Sequence, residues 1–203
     1  IKTHFIKDSL ERKKLVYLIA GEYHPNFIEN EPVEYKKCED AIQISIKESG
    51  LRAIKIQNIE KLKREDVENN DVIIFEKFSD ETLLKELYAS ADIALLPYRN
   101  IEQISSGNLA EAVGFGKPVL ATEFAHAREL LYPGNLKIAK KQLKSGHELE
   151  TRGILVKLKG KYKNLPDVDN LTEGLEFLVF NENARVQIGK NARQRGYEMS
   201  WPN

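Results

Sequence analysis

One cysteine, one methionine and one tryptophan occur in 203 residues, and no apolar run approaches the roughly 18 residues needed to span a bilayer. Cys38 alone cannot close an internal disulfide and excludes a multi-cysteine zinc site. That usage fits a reducing compartment, and a cytoplasmic location is expected. An excess of one charge is also missing: 31 Lys+Arg balance 31 Asp+Glu, so no overall field draws the chain to nucleic acid or an anionic membrane. The start, Ile1-Lys2-Thr3-His4, has no signal-peptide core. No GxSxG, P-loop or GxGxxG occurs, and no His/Asp/Glu spacing reads as a metal site, so those enzyme classes lose support. What is present, 41% hydrophobic residues with 12 glycines, is ordinary globular composition and excludes disorder and collagen-like repeats.

Runs rich in Val, Ile, Leu and Tyr alternate with helical patterns, which predicts an α/β fold, a Rossmann-like parallel sheet with helices on both faces. The length suits one domain over 1–203. Strands are expected at 15–20, 72–75, 91–96, 118–122 and 153–158, with 51–56 a weaker candidate followed by a charged helix or loop. Helical periodicity covers 31–49, with Val33, Cys38, Ala41, Ile42 and Ile46 on one side and Gly50 as the cap. Further helices are expected after Ser79-Asp80-Glu81-Thr82, with Leu83, Leu84, Leu87 and Tyr88 inward, and at 108–115, 124–131, 168–180 and 183–199. The Lys-rich stretch 140–160 reads as an exposed loop insertion before the last strand.

Ligands of open parallel sheets bind beyond the carboxyl ends of the strands. Four loops therefore matter: 21–26, 76–79, 98–107 and 123–126. Ser105-Ser106-Gly107-Asn108 stands at a helix start, where free N–H groups and the helix dipole favour a phosphate, although Ser-Ser-Gly also serves as a plain helix cap. Gln103 precedes it, after Glu102, and Glu111 follows one turn into the helix. A carboxylate there accepts hydrogen bonds from a vicinal diol, or is a solvated helix residue; the apolar flanks Leu109, Ala110, Ala112, Val113 and Phe115 predict a largely buried helix around it. His24, before Pro25, faces the sheet mouth or is a turn histidine without a role, and His126 has a similar placement. Lys77 and Arg99 are the nearest cations, and each is by default a surface charge.

From Tyr88 to Leu131 the order of residues is specific. Tyr88-Ala89-Ser90-Ala91-Asp92-Ile93-Ala94-Leu95-Leu96-Pro97-Tyr98, then Ser106-Gly107-Asn108-Leu109-Ala110-Glu111-Ala112-Val113-Gly114-Phe115-Gly116-Lys117-Pro118-Val119-Leu120-Ala121-Thr122, resembles the C-terminal nucleotide-sugar-binding half of retaining GT-B glycosyltransferases of family 4. The Gly-x-x-His-Pro at 21–25 and the stretch Arg195 to Pro202 resemble that domain's early loop and closing helix. The resemblance implies a hexosyltransferase-type enzyme that takes a nucleotide-diphosphate-sugar, with no cofactor and no obligatory metal. The diphosphate would lie on the amides of Gly107 and Asn108, with Ser105 and Ser106 adding donors, and the ribose on Glu111. The base would be read near 76–79, where Lys77 and Phe78 are counted with the donor site.

The family's two glutamates eight apart fall on Gln103 and Glu111, so the first is replaced by an uncharged side chain. Gln103 and His24 are the catalytic candidates. An N-terminal acceptor domain, and an Arg and Lys that neutralise the leaving diphosphate, are expected before Ile1, which makes this chain a piece of a longer one that is inactive alone. Other readings stay open: an epimerase or phosphorylase relative, or a non-catalytic nucleotide-binding or partner-docking module.

Overall fold

The computed structural model describes residues 15–21, 23, 25–77, 80–159 and 165–199. They fall into two compact units, within Ile1–Leu83 and Leu84–Asn203, and each is described by itself.

In the first unit a parallel sheet has the order β1-β3-β2, built from β1 (Tyr17–Ala20), β2 (Ala53–Ile56) and β3 (Val72–Phe75). Every residue of β3 is buried, as a central parallel strand requires, and its sequence Val-Ile-Ile-Phe is accordingly apolar throughout. Helices α1 (Pro25–Asn30), α2 (Pro32–Ser49) and α3 (Arg64–Asn69) belong to the unit, with a 3-10 turn at Ile59–Lys61. Gly50 ends α2 at φ +69°, the left-handed cap expected of it.

The inward side of α2 differs from the periodicity reading. Val33, Cys38 and Ala41 are exposed, while Ile42 and Ile46 are half-buried as expected, together with Tyr35 and Glu39. The reason is polar: Lys55 of β2 pairs with Glu39 at 3.0 Å and with Glu76 at 2.6 Å, which turns the Glu39 side of α2 toward the sheet.

The second unit is a parallel sheet of order β4-β5-β6, from β4 (Ala94–Leu96), β5 (Val119–Thr122) and β6 (Gly153–Val156). Alternation along β5 separates two cores. Val119 and Ala121 pack with Ala94, Leu96 and Phe124, with Leu109, Ala112 and Val113 of α5 (Gly107–Gly114), and with Ala127 and Leu130 of α6 (Ala125–Leu130). Leu120 faces the other way, with Ile154 and Val156, toward Ala139 of α7 (Leu136–Ser145), Phe177 and Leu178 of α8 (Val168–Phe180), and Ala184 and Ile188 of α9 (Glu182–Met199). Helices therefore cover both faces of this sheet. A short antiparallel pair, β7 (Leu158–Lys159) with β8 (Leu165–Pro166), lies between β6 and α8.

Residues 140–145 are not a loop but the end of α7, whose Asn135 cap accepts from the amides of Lys137 and Ile138. Lysines at 137, 140, 141 and 144 line its outer side and mask the short apolar set that anchors it, of which Ala139 is buried. The connection is 146–152, and even there Leu149 and Thr151 are buried. In α4 (Glu81–Ser90), Leu83, Leu84, Leu87 and Tyr88 are half-buried. Asp80 accepts from the Leu83 amide at 2.8 Å and starts that helix.

Helix α5 is held by close backbone approach. A Cβ on Gly189 would stand 2.6 Å from the Gly116 carbonyl oxygen, and one on Gly196 would stand 2.9 Å from Gly114 Cα. Glycine at both positions lets α9 lie directly on the end of α5.

Candidate functional site

Strands β4 and β5 run parallel, so the chain leaves both at the same edge of the second unit's sheet. Thr122 ends β5 fully buried and donates its hydroxyl to the Tyr98 carbonyl at 2.5 Å, which ties the two strand ends together. The loop after β4 is then stitched to the start of α6. The amide of Ala125 donates to Ile101 O at 2.9 Å, and the amide of His126 donates to Gln103 O at 3.1 Å. A third bond runs back, from the Ser106 amide to Nδ1 of His126 at 2.9 Å. An Nδ1 that accepts carries no proton, so the neutral ring has its proton on Nε2.

Helix α5 begins at the end of that loop. Ser106 is its N-cap, extended at φ −149° and ψ 112°, and its hydroxyl oxygen accepts from the Leu109 amide at 3.2 Å. The Ala110 amide closes the first helical turn on Ser106 O at 3.1 Å. The amides of Gly107 and Asn108 are left with no acceptor among the described residues. Both residues are exposed, and nothing stands within 4 Å of where a Gly107 Cβ would be. The first turn holds no acidic side chain, so the positive end of the helix is uncompensated.

Leu109, Ala112 and Val113 are fully buried, whereas Ala110 and Glu111 are exposed. The helix is thus half-buried rather than largely buried as its flanks suggested, because its apolar residues gather on one side. Glu111 lies three and four residues beyond Asn108 and Gly107, on the same helix face as those two residues. Its carboxylate has no hydrogen-bond or ion-pair partner among the described residues.

Two tyrosines support this corner. Tyr98 stacks on Phe124 with ring centroids 5.0 Å apart, and its hydroxyl accepts from Asn108 Nδ2 at 3.2 Å, with Ser106 Oγ 3.5 Å away. Tyr88 stacks on Phe115 and donates to the Asn108 carbonyl at 3.0 Å. Burial, and then the nearby Tyr98 and Glu111, push the Tyr88 phenol up to about 12, so it stays a donor at ordinary pH.

Of the candidates read from sequence, Gln103, Ser105, Ser106, Gly107, Asn108 and Glu111 fall in this one stretch. The Gln103 side chain bends back on its own loop, and its Nε2 donates to Ser105 O at 3.0 Å. Arg99 is exposed in the same loop, and Lys77 is exposed beyond β3 in the first unit. His24 and Phe78 lie outside the described residues. Tyr88 carried only the role of an inward helix residue in the sequence reading, Tyr98 and Thr122 none, and His126 only a general one. Their partners lie 20, 10, 24 and 20 residues away, so no local pattern could show them. Among the described residues, no three His, Cys, Asp or Glu side chains gather as metal ligands, and no helix is long and apolar enough to cross a membrane.

Parallel strands with helices on both faces, and a helix that opens beyond the strand ends, make this an α/β, Rossmann-like fold. The family described as Glycosyl transferases group 1 matches residues 47–148, half of the chain, and the chain belongs to that family. It is a glycosyltransferase chain. The crystal structure of the C-terminal domain of a glycosyl transferase group 1 family protein (LpcC) from Francisella tularensis superimposes with a TM-score of 0.56 at 15% identity. The match covers 91% of this chain and 69% of that one, and it supports the fold, that of a GT-B C-terminal domain. No curated protein matches the chain.

Proposed function

We propose that this chain is the donor-binding domain of a retaining, family 4 glycosyltransferase, which moves a sugar, of hexosyl type, from a nucleotide-diphosphate-sugar to a hydroxyl acceptor. The observation that carries the reading is the start of α5, where two adjacent amides are open and a free carboxylate lies one turn along the same face. Such amides at a positive helix end suit a diphosphate, and the carboxylate suits a ribose diol.

Gly107 and Asn108 donate to the diphosphate, Ser105 adds its hydroxyl, and Ser106 holds the cap. Glu111 accepts from the ribose. Gln103 brings no charge to an oxocarbenium-like transition state, but its Oε1 is left to accept from a sugar hydroxyl. Charge on the departing diphosphate is met by backbone donors and by an Arg and a Lys from an early loop of the same domain, so neither metal nor cofactor is required. The location that suits such a donor is cytoplasmic.

Thermal stabilisation by UDP, GDP and ADP tests this. A nucleotide at 100 times its Kd adds about 2.7 kcal/mol to a folded protein that binds it. Stabilisation by one of the three is the expected result. A folded protein that none of them stabilises would remove the donor-site reading and favour a docking module that kept only the fold.

A further inference from the structure

The peptide plane between Ser105 and Ser106 is held at both of its polar ends by side chains. Its carbonyl accepts from Gln103 Nε2 at 3.0 Å, and its N–H donates to His126 Nδ1 at 2.9 Å. A trans peptide is planar with the two groups pointing in opposite directions, so these two bonds fix its rotation. The following plane joins Ser106 C=O to Gly107 N–H. Its carbonyl accepts from Ala110, which leaves the Gly107 N–H pointing out of the helix start. Rotating the first plane would move the Ser106 cap and, with it, the direction of both open amides.

We infer that Gln103 and His126 are a pair of positioning residues, a clamp on the Ser105–Ser106 peptide that aims the Gly107 and Asn108 amides at the donor diphosphate. This rests on the donor-site reading above. The clamp needs a donor at position 103 and an acceptor at position 126. His126 meets its half in the Nε2–H form, and its backbone N–H, bonded to Gln103 O, locks the two halves together. The clamp gives glutamine at 103 a reason of its own: a carboxylate there would set two acceptors, its own oxygen and the Ser105 carbonyl, against each other.

The test uses the full-length protein and the ratio of affinities for a nucleoside diphosphate and its nucleoside, with the UDP/uridine, GDP/guanosine and ADP/adenosine pairs as probes. Wild type is expected to prefer one diphosphate over its nucleoside. His126→Phe keeps an aromatic ring without the acceptor, and Gln103→Glu removes the donor; each is expected to cut that preference about tenfold while nucleoside affinity holds. His126→Asn, which offers an amide oxygen near the Nδ1 position, restores it. The 15N spectrum of wild type should show His126 Nδ1 as the unprotonated acceptor, a readout that survives if a variant fails to fold.

Should wild type prefer a diphosphate and both His126→Phe and Gln103→Glu keep the full preference, the clamp is wrong and the donor site stands. A proton on Nδ1, or a Gln103→Glu variant that binds the diphosphate more tightly, also overturns it. A wild type with no preference for any of the three diphosphates overturns the donor site and the clamp together.

Discussion

Helices α5 and α8 are capped by the same hydrogen bond and differ in charge. In each, an N-cap side chain accepts from the third amide of the helix, Ser106 from Leu109 and Asp167 from Asn170. At α8 the cap is itself a carboxylate, buried, paired with Lys159 at 2.7 Å and followed by Asp169 in the first turn. The positive end of that helix is already met from within the chain. At α5 the cap is neutral, no acid stands in the first turn, and the leading amides open to solvent beside a residue without a Cβ. A helix start is common and by itself says little. A start whose charge the chain leaves unanswered leaves room for an anion from outside.

The comparison can be broken from below. Leu109→Ala removes a fully buried side chain beneath the first turn of α5 and is expected to cost about 2–5 kcal/mol in chemical denaturation. Nucleotide binding should fall with it. A loss under about 1 kcal/mol would mean that the α5 core does not hold the helix.

It can be sharpened by giving α5 the cap of α8. Aspartate caps as well as serine does, so Ser106→Asp should keep the melting temperature while its charge weakens nucleoside diphosphate binding tenfold or more, about 1.4 kcal/mol. Binding that holds at the wild-type level would show that the phosphates lie elsewhere.

Glu111→Ala deletes an exposed carboxylate with no partner among the described residues, so the melting temperature should not move. Affinity for a nucleotide should drop by about 1–3 kcal/mol, the range for a hydrogen bond to a charged group. An unchanged Kd by calorimetry would take Glu111 out of the site.

The smallest effect is alkaline. Tyr88 ionises at about 12 in the folded chain against a reference of 10.0, so the folded state keeps a proton that the unfolded state loses. Its contribution is intact below pH 10 and fades as pH rises toward 12. Tyr88→Phe should flatten that part of the stability profile, read by denaturation at stepped pH, and an unchanged slope would contradict the placement of the phenol.

Much of this was legible in the chain. The strand at 72–75 and the helix at 168–180 fall where the apolar patterns put them; a short β-branched run such as Val-Ile-Ile-Phe suits a strand buried on both faces. The start of α5 was legible for a local reason as well, Ser-Gly-Asn ahead of an apolar helix. Helix α7 was not, since its lysines hid a narrow apolar stripe. The side of α2 that turns inward is set by Lys55, Glu39 and Glu76, which are far apart in sequence. Around the site, the sequence pointed to the exposed residues at the start of α5 and not to those that hold that start in place. Tyr88, Thr122 and His126 act on backbone groups across the loop and Tyr98 on the Asn108 side chain, and such pairs follow from where strands end, not from local spacing.

The most direct measurement is an amide 1H–15N spectrum of the protein during titration with UDP, GDP and ADP. The account predicts that one nucleotide shifts the Gly107 and Asn108 amides most strongly, downfield as they gain an acceptor, and that the matching nucleoside leaves them in place. A nucleotide that binds while these two amides stay unmoved would contradict it.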